Sequence, residues 1–237
     1  MDADIIDKII LNHSLPNPIK KADIMGYVIK REDWADHIRT PKPYPCCIHI
    51  DLALTRDQCG FALSHWNPVN NRCSQPIVHQ IKCTPRMPLN FQAVRNMVIQ
   101  LKELGWMIVL VSYDNFQSAE SMQQLELQGI PTEKVSVDSN TAPYDTLADY
   151  ISDDAYEFYP HPVAVRELKK LIMVAGKKID HPKKKSKDVA DAQAGSAFIT
   201  ARDLRIMTGI GKDPGSQAGF APPSAEAGGG GRDGVDY

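Results

Sequence analysis

Long apolar runs, paired cysteines and a basic leader are all missing from this sequence, and each absence narrows what the chain can be. No stretch approaches the ~18 apolar residues of a membrane-spanning helix. The N-terminus, MDADIIDKII, has acids where a secretory leader would have its basic region, which argues against export. The five cysteines (Cys46, Cys47, Cys59, Cys73 and Cys83) are odd in number and never spaced C-x-x-C. That usage speaks against structural zinc and for reduced, buried thiols in a cytoplasmic protein. A phosphate-binding loop of the form G-x-x-x-x-G-K-[ST] is missing too. The nearest string, TGIGKD at 208–213, lacks the hydroxyl residue and the upstream glycine.

What is present is ordinary in amount and uneven in placement. The 237 residues carry a formal net charge of −2, so a nucleic-acid partner would require local concentration of positive charge. Between Arg166 and Lys187 there are nine basic residues against two acids, whereas 138–157 holds six acids and no Lys or Arg. A solvated helix face followed by a loop would explain the basic run equally well.

The first forty or so residues end in a proline cluster, PKPYP, which reads as a stiff connector. Residues 1–45 are therefore expected to be an extension, 46–208 the globular domain, and 209–237, rich in Gly and Pro, a disordered tail. The body opens with CCIHIDLAL, where Cys47, His49 and Asp51 share one strand face and Ile48, Ile50 and Leu52 the other. Strands at FALSHW and PIVHQIKC follow at short spacing and suggest an antiparallel meander. The pattern predicts a helix from Asn90 to Leu104 and a strand buried on both faces in WMIVLVSYD. It then predicts a helix through SAESMQQLELQ, a short strand near KVSVD and a helix opening at Pro162 and running through VAVRELKKLIMVA. A last helix of small residues spans DVADAQAGSAFITA. Strands first, then alternating helices and strands, give an α/β fold with a central mixed sheet flanked by helices.

Asp51 is the anomaly, since a carboxylate inside so apolar a strand needs a partner, a proton or a cation. Asp114 ends the fourth strand and Asp188 begins the last helix. If the first and fourth strands are neighbours, these acids converge, and crowded carboxylates are what hard cations such as Mg²⁺ or Mn²⁺ neutralise. A pair of such ions can clamp both oxygens of a phosphodiester displacement. Ordinary readings compete. Asp57 sits in a turn-like TRDQ string. Ser186 would cap the last helix and leave Asp188 as a first-turn acid. His49 reads as a hydrogen-bonded core residue. Asp191, three residues after Asp188, would lie near it and could replace or assist it. Lys183, Lys184, Lys185 and Lys187 read as a phosphate-contacting loop, with a solvated loop as the rival.

The stretches HIDLALTRDQCGFAL, VSYDNFQSAESMQQLELQGI, VRELKKLIMVAGKKIDHP and SKDVADAQAG, in that order, resemble the nuclease domain of the large terminase subunit of tailed bacteriophages, within the ribonuclease H-like superfamily. The resemblance spans roughly residues 46 to 203. It implies a ribonuclease H-like fold of antiparallel and parallel strands, and metal-dependent cleavage of double-stranded DNA during viral genome packaging. It maps the catalytic acids onto Asp51, Asp114 and Asp188, holding two Mg²⁺ or Mn²⁺ ions, with Asp57 as an accessory acid. The implied partners are DNA, a terminase ATPase domain, a small terminase subunit and a portal protein. The implied setting is the cytoplasm of an infected bacterium, with no membrane. Lacking a phosphate-binding loop, the chain is not expected to power translocation itself. Junction resolvases and transposases share such a fold and metal site, so that reading stays open. So does a portal- or capsid-docking module resting on the acidic stretch and the tail.

Overall fold

Strand β1, Pro45–Asp51, is buried along both faces except at its ends. The computed structural model describes residues 16–20, 29–52, 58–114, 118–174, 178–182 and 186–204. β1 pairs antiparallel with β2 (Cys59–Asn67), which pairs antiparallel with β3 (Arg72–Ile81). β4 (Met107–Tyr113) runs parallel to β1, and β5 (Thr132–Lys134) runs parallel to β4. β6 (Tyr156–Phe158) runs parallel to β3 on the far edge. The six-stranded order is β5-β4-β1-β2-β3-β6. This is the expected α/β fold: an antiparallel meander with parallel strands added on both sides.

Alternation along β1 and β2 divides the core into two layers. Ile48, Ile50, Phe61 and Leu63 face one apolar cluster, and Cys47 and Trp66 face the other. Helix α2, Phe91–Glu103, follows the short helix α1, Asp36–Arg39, and lies in the first layer with Val94, Met97, Val98 and Leu101 buried. The Asn90 side chain accepts from the Ala93 N–H at 3.1 Å and caps it. Gly105 ends it in the left-handed region at φ 101°, where a side chain would be strained. Replacing Asn90 by Ala is expected to destabilise the fold by about 1 kcal/mol, measurable by denaturant titration. The buried Arg95 ties α2 to helix α3, Ala119–Leu127, through Glu120 at 2.7 Å and Ser121 at 3.0 Å.

The segment before β1 joins the same layer. Ile19, Ile29, Trp34 and Ile38 are buried there, and the Trp34 indole donates to Gln100 at 2.8 Å.

Helices α4 (Ala142–Ser152), α5 (Pro162–Leu168) and α6 (Asp188–Ile199) form the second layer. α6 crosses β1, β2 and β3 and is buried almost all round. Its small residues permit this. A Cβ on Gly195 would stand 2.4 Å from the His49 ring, so glycine is what lets helix and sheet touch. The polar residues of α6 are matched across the sheet: Gln75 donates to Gln193 O at 2.9 Å and to Ser196 Oγ at 2.7 Å, and Ser64 donates to Ser196 O at 2.8 Å. All five cysteines are free and buried, as their spacing suggested.

Several local expectations are corrected. The helix opening at Pro162 stops at Leu168, and Ile172–Val174 is instead strand β7, paired antiparallel with β8, Lys178–Asp180. The helical spacing of Val165, Leu168 and Ile172 lost to cross-strand pairing of a β-branched segment. The acidic stretch contains α4 and β6, with Tyr144, Leu147, Tyr150 and Ile151 buried beneath the charges. β4 is fully buried only from Val111 to Tyr113, because the short β5 pairs with those residues alone; Met107 is 53% exposed. The short strand expected near KVSVD is β5, which ends on Lys134, the first residue of that string. Among the described residues, no helix is long and apolar enough to cross a membrane. The tail from 209 lies outside the described residues.

Candidate functional site

Register brings the first two acids together. Ile50 is paired with Tyr113 across the parallel β1–β4 ladder, so Asp51 and Asp114 follow side by side at the same end of adjacent strands. Across the other edge of β1, Asp51 is paired with Gly60. The first turn of α6 lands on that glycine, where a Cβ would stand 2.0 Å from the Asp188 carbonyl oxygen. Asp51 thus lies between Asp114 on one side and Asp188 on the other.

Each flanking acid is fixed by its own neighbours. The Gln58 N–H donates to Asp188 Oδ2 at 3.0 Å, and the Ser186 hydroxyl donates to the same oxygen at 2.6 Å. Asp114 takes hydrogen bonds from the Ser136 side chain and the Val137 backbone. Ser186 therefore orients Asp188 rather than capping α6. The N-terminus of α6 is capped instead by Glu167 from α5, whose Oε2 accepts from the Val189 and Ala190 N–H groups at 3.0 Å each. Sequence reasoning missed Glu167, because nothing local links it to residues three elements further on.

Asp191 is occupied differently. Both its oxygens accept from Lys187 Nζ, at 2.7 and 2.6 Å, and Oδ1 also accepts from the Tyr144 hydroxyl at 2.6 Å. Lys187 reaches Asp138 at 2.9 Å as well. Lys187 is only 5% exposed, which corrects the expectation that it contacts phosphate beside Lys183, Lys184 and Lys185. Those three lysines, like Asp57, lie outside the described residues. His49 is a core residue, with Nδ1 2.7 Å from the Ser112 hydroxyl and burial pulling its pKa down to about 3.

The charges are poorly compensated. The Asp51 carboxyl is held well above the usual aspartate range, chiefly by burial and then by Asp191, Asp188 and Asp114, with Lys187 opposing. Burial likewise raises Asp114, pushes Asp191 up to about 6 and Glu167 up to about 7. In kind, this donor set suits a hard divalent cation, which prefers oxygen ligands and would relieve the crowding. Among the described residues, however, no three His, Cys, Asp or Glu side chains converge closely enough to form a ready-made ligand shell.

The shifts have a consequence for stability. Glu167 and Asp191 keep protons in the folded state that the unfolded chain has already lost, between the ordinary values of 4.5 and 3.8 and the folded values near 7 and 6. Stability of the metal-free protein is therefore expected to fall as pH rises through that window. Glu167→Gln is expected to flatten the decline by up to about 3 kcal/mol. Melting curves between about pH 5 and pH 7.5 read it directly, and a rising Tm over that range contradicts the assignment.

No family model matches the sequence, and no curated protein matches it in sequence. Solved structures do match in fold. The large terminase nuclease of the thermophilic phage G20c with bound magnesium aligns with a TM-score of 0.53 at 14% identity, covering 81% of this chain and 94% of that one. The same nuclease with bound cobalt gives 0.55 at 14%, with the same coverage. The large terminase of bacteriophage HK97 gives 0.53 at 12%, covering 73% of this chain and 43% of its own length. This chain therefore spans nearly all of an isolated nuclease domain and less than half of a whole large terminase. Identities this low establish the shared fold, a mixed sheet flanked by helices, and nothing finer.

Proposed function

We propose that this chain, which has the fold of large terminase nuclease domains, is itself a metal-dependent endonuclease that cuts double-stranded viral DNA during genome packaging. The observation that carries the reading is the assembly of Asp51, Asp114 and Asp188 from β1, β4 and α6 at one end of the sheet, on the fold of nucleases that bind magnesium and cobalt. Fold alone is a weak guide to activity, and the half-buried, mutually repelling acids supply the chemical argument that fold lacks.

In this reading Asp51, Asp114 and Asp188 hold Mg²⁺ or Mn²⁺. Bound there, the cation supplies charge neutralisation for the phosphate and acidifies the attacking water. Everything else falls to the chain. Asp51 is central because it adjoins Asp114 across one strand edge and Asp188 across the other. Gln58 N–H and Ser186 hold the Asp188 carboxylate, and Ser136 and Val137 hold that of Asp114, so each flanking acid is oriented by its own neighbours. Glu167 anchors the helix that delivers Asp188. The lysines at 183–185, adjoining Ser186 and Asp188 in sequence, are the proposed phosphate contacts.

Its proposed setting is the cytoplasm of an infected bacterium. A terminase ATPase domain, a small terminase subunit and a portal protein are the proposed partners. A docking-module reading is less well supported, since Asp138 is engaged by Lys187 and Asp154 by Arg72 rather than facing a partner unpaired.

Supercoiled plasmid incubated with the full chain in Mn²⁺, Mg²⁺ or EDTA tests the proposal. Nicking that needs the metal and disappears in Asp51→Asn is the expected outcome. Cutting that survives in that variant contradicts the mechanism. A strong preference for branched over linear duplex favours a junction resolvase.

A further inference from the structure

Lys187 stands among the acids, yet the chemistry above gives it no task. It is the residue from which α6 starts and the immediate neighbour of Asp188. Its ammonium is buried, bonded to both oxygens of Asp191 and to Asp138, and lies 5.7 Å from the centre of the Tyr144 ring. Its charge also acts on Asp51 and Asp114. One fixed positive charge therefore serves acids from β1, β4, the loop after β5, and α6.

We propose that the Lys187 ammonium is a resident cation filling the position a second metal ion would take, so that the cluster binds a single divalent ion, centred on Asp51 and Asp188. The inference rests on the metal-dependent reading above and specifies its stoichiometry. A second divalent ion beside Asp114 would neighbour Asp138, which Lys187 already holds. It would have to approach a fixed ammonium in a buried setting where repulsion is weakly screened. Nor is the ammonium free to withdraw, because leaving would strand the buried Asp191 carboxylate without its charged partner. Lysine can supply point-charge stabilisation to a phosphate without taking ligands. Asp191, held on both oxygens by that lysine, is on this account the anchor of the ammonium, and Asp188 is the ligand.

Mn²⁺ binding to the full chain, followed by calorimetry and by the loss of the free-ion paramagnetic resonance signal, reads the stoichiometry without any cleavage assay. The wild-type protein is expected to bind about one ion, Lys187→Arg about one, and Lys187→Met about two. Because Lys187→Met leaves a buried charge unpaired, the double variant Lys187→Met with Asp191→Asn is measured beside it and is also expected to bind about two, with folding checked by circular dichroism. Two ions in the wild type overturn the inference and leave the metal-dependent reading intact. One ion in folded protein of every variant also overturns it. No binding by the wild type overturns both.

Discussion

Asp51→Asn is expected to eliminate metal-dependent cleavage and, in the same molecule, to raise the melting temperature of the metal-free protein. The substitution keeps the shape of the side chain and removes its charge. In the folded protein that charge is opposed by burial first and by Asp191, Asp188 and Asp114 next, with Lys187 pulling the other way. Because the folded pKa lies above the ordinary 3.8, the carboxyl costs stability once pH exceeds that value, and the cost grows as pH rises. Asparagine removes the cost, and each kcal/mol relieved corresponds to roughly 2–4 °C in a domain of this size. The same change removes the central proposed ligand. A loss of about 4 kcal/mol of transition-state stabilisation would lower the rate about a thousandfold. Melting curves at about pH 7.5 and about pH 5 separate the two effects, since the gain should shrink at the lower pH. A variant that melts lower than its parent at both values would mean that Asp51 has a structural partner, and the argument for a cation would fail.

Gly60→Ala should damage both stability and cleavage through a single methyl group. The added Cβ would lie 2.0 Å from the Asp188 carbonyl oxygen, 2.6 Å from its carbon and 3.0 Å from the Ala192 Cβ. The first two of those atoms are backbone, so no side-chain rotation relieves the overlap. Either the start of β2 or the first turn of α6 must move. Forced expansion of this kind costs about 1–3 kcal/mol and sometimes more. Displacing Asp188 by about an ångström is expected to cost about a hundredfold in cleavage. Calorimetric Tm and plasmid nicking, measured on the same preparation, test the claim. If neither changes, the helix does not approach the sheet as closely as described.

The sequence displayed the strands better than it displayed what lies on them. Alternation in CCIHIDLAL identified the two faces of β1, because an apolar strand buried on both sides leaves a lone carboxylate conspicuous. The adjacency of Asp51 and Asp114 followed once β1 and β4 were taken as neighbours. Helix α4 was hidden because its buried Tyr144, Leu147, Tyr150 and Ile151 are interleaved with acids. The strand at Ile172–Val174 was hidden because its partner, not its own spacing, decides its conformation. Lys187 was misread for a related reason. In a lysine-rich string, composition cannot tell the one side chain that turns inward from those that stay in water. Nor could Asp188 be separated from Asp191 locally, since Gln58 and Tyr144, which hold one and the other, lie far off in the chain, and the string itself does not show which acid Lys187 turns to.

The chain order of these elements also sets a timetable. Among the described residues, the helix that closes the second layer is the last α-helix in chain order, and it carries Asp188. A polypeptide still emerging from the ribosome, complete through β6, already has the strands that align Asp51 with Asp114. It does not yet have the surface that covers β1, β2 and β3, nor the third acid. Such long-range closure is slow compared with local helix formation. On the proposed function, the three acids are together only once synthesis has passed α6.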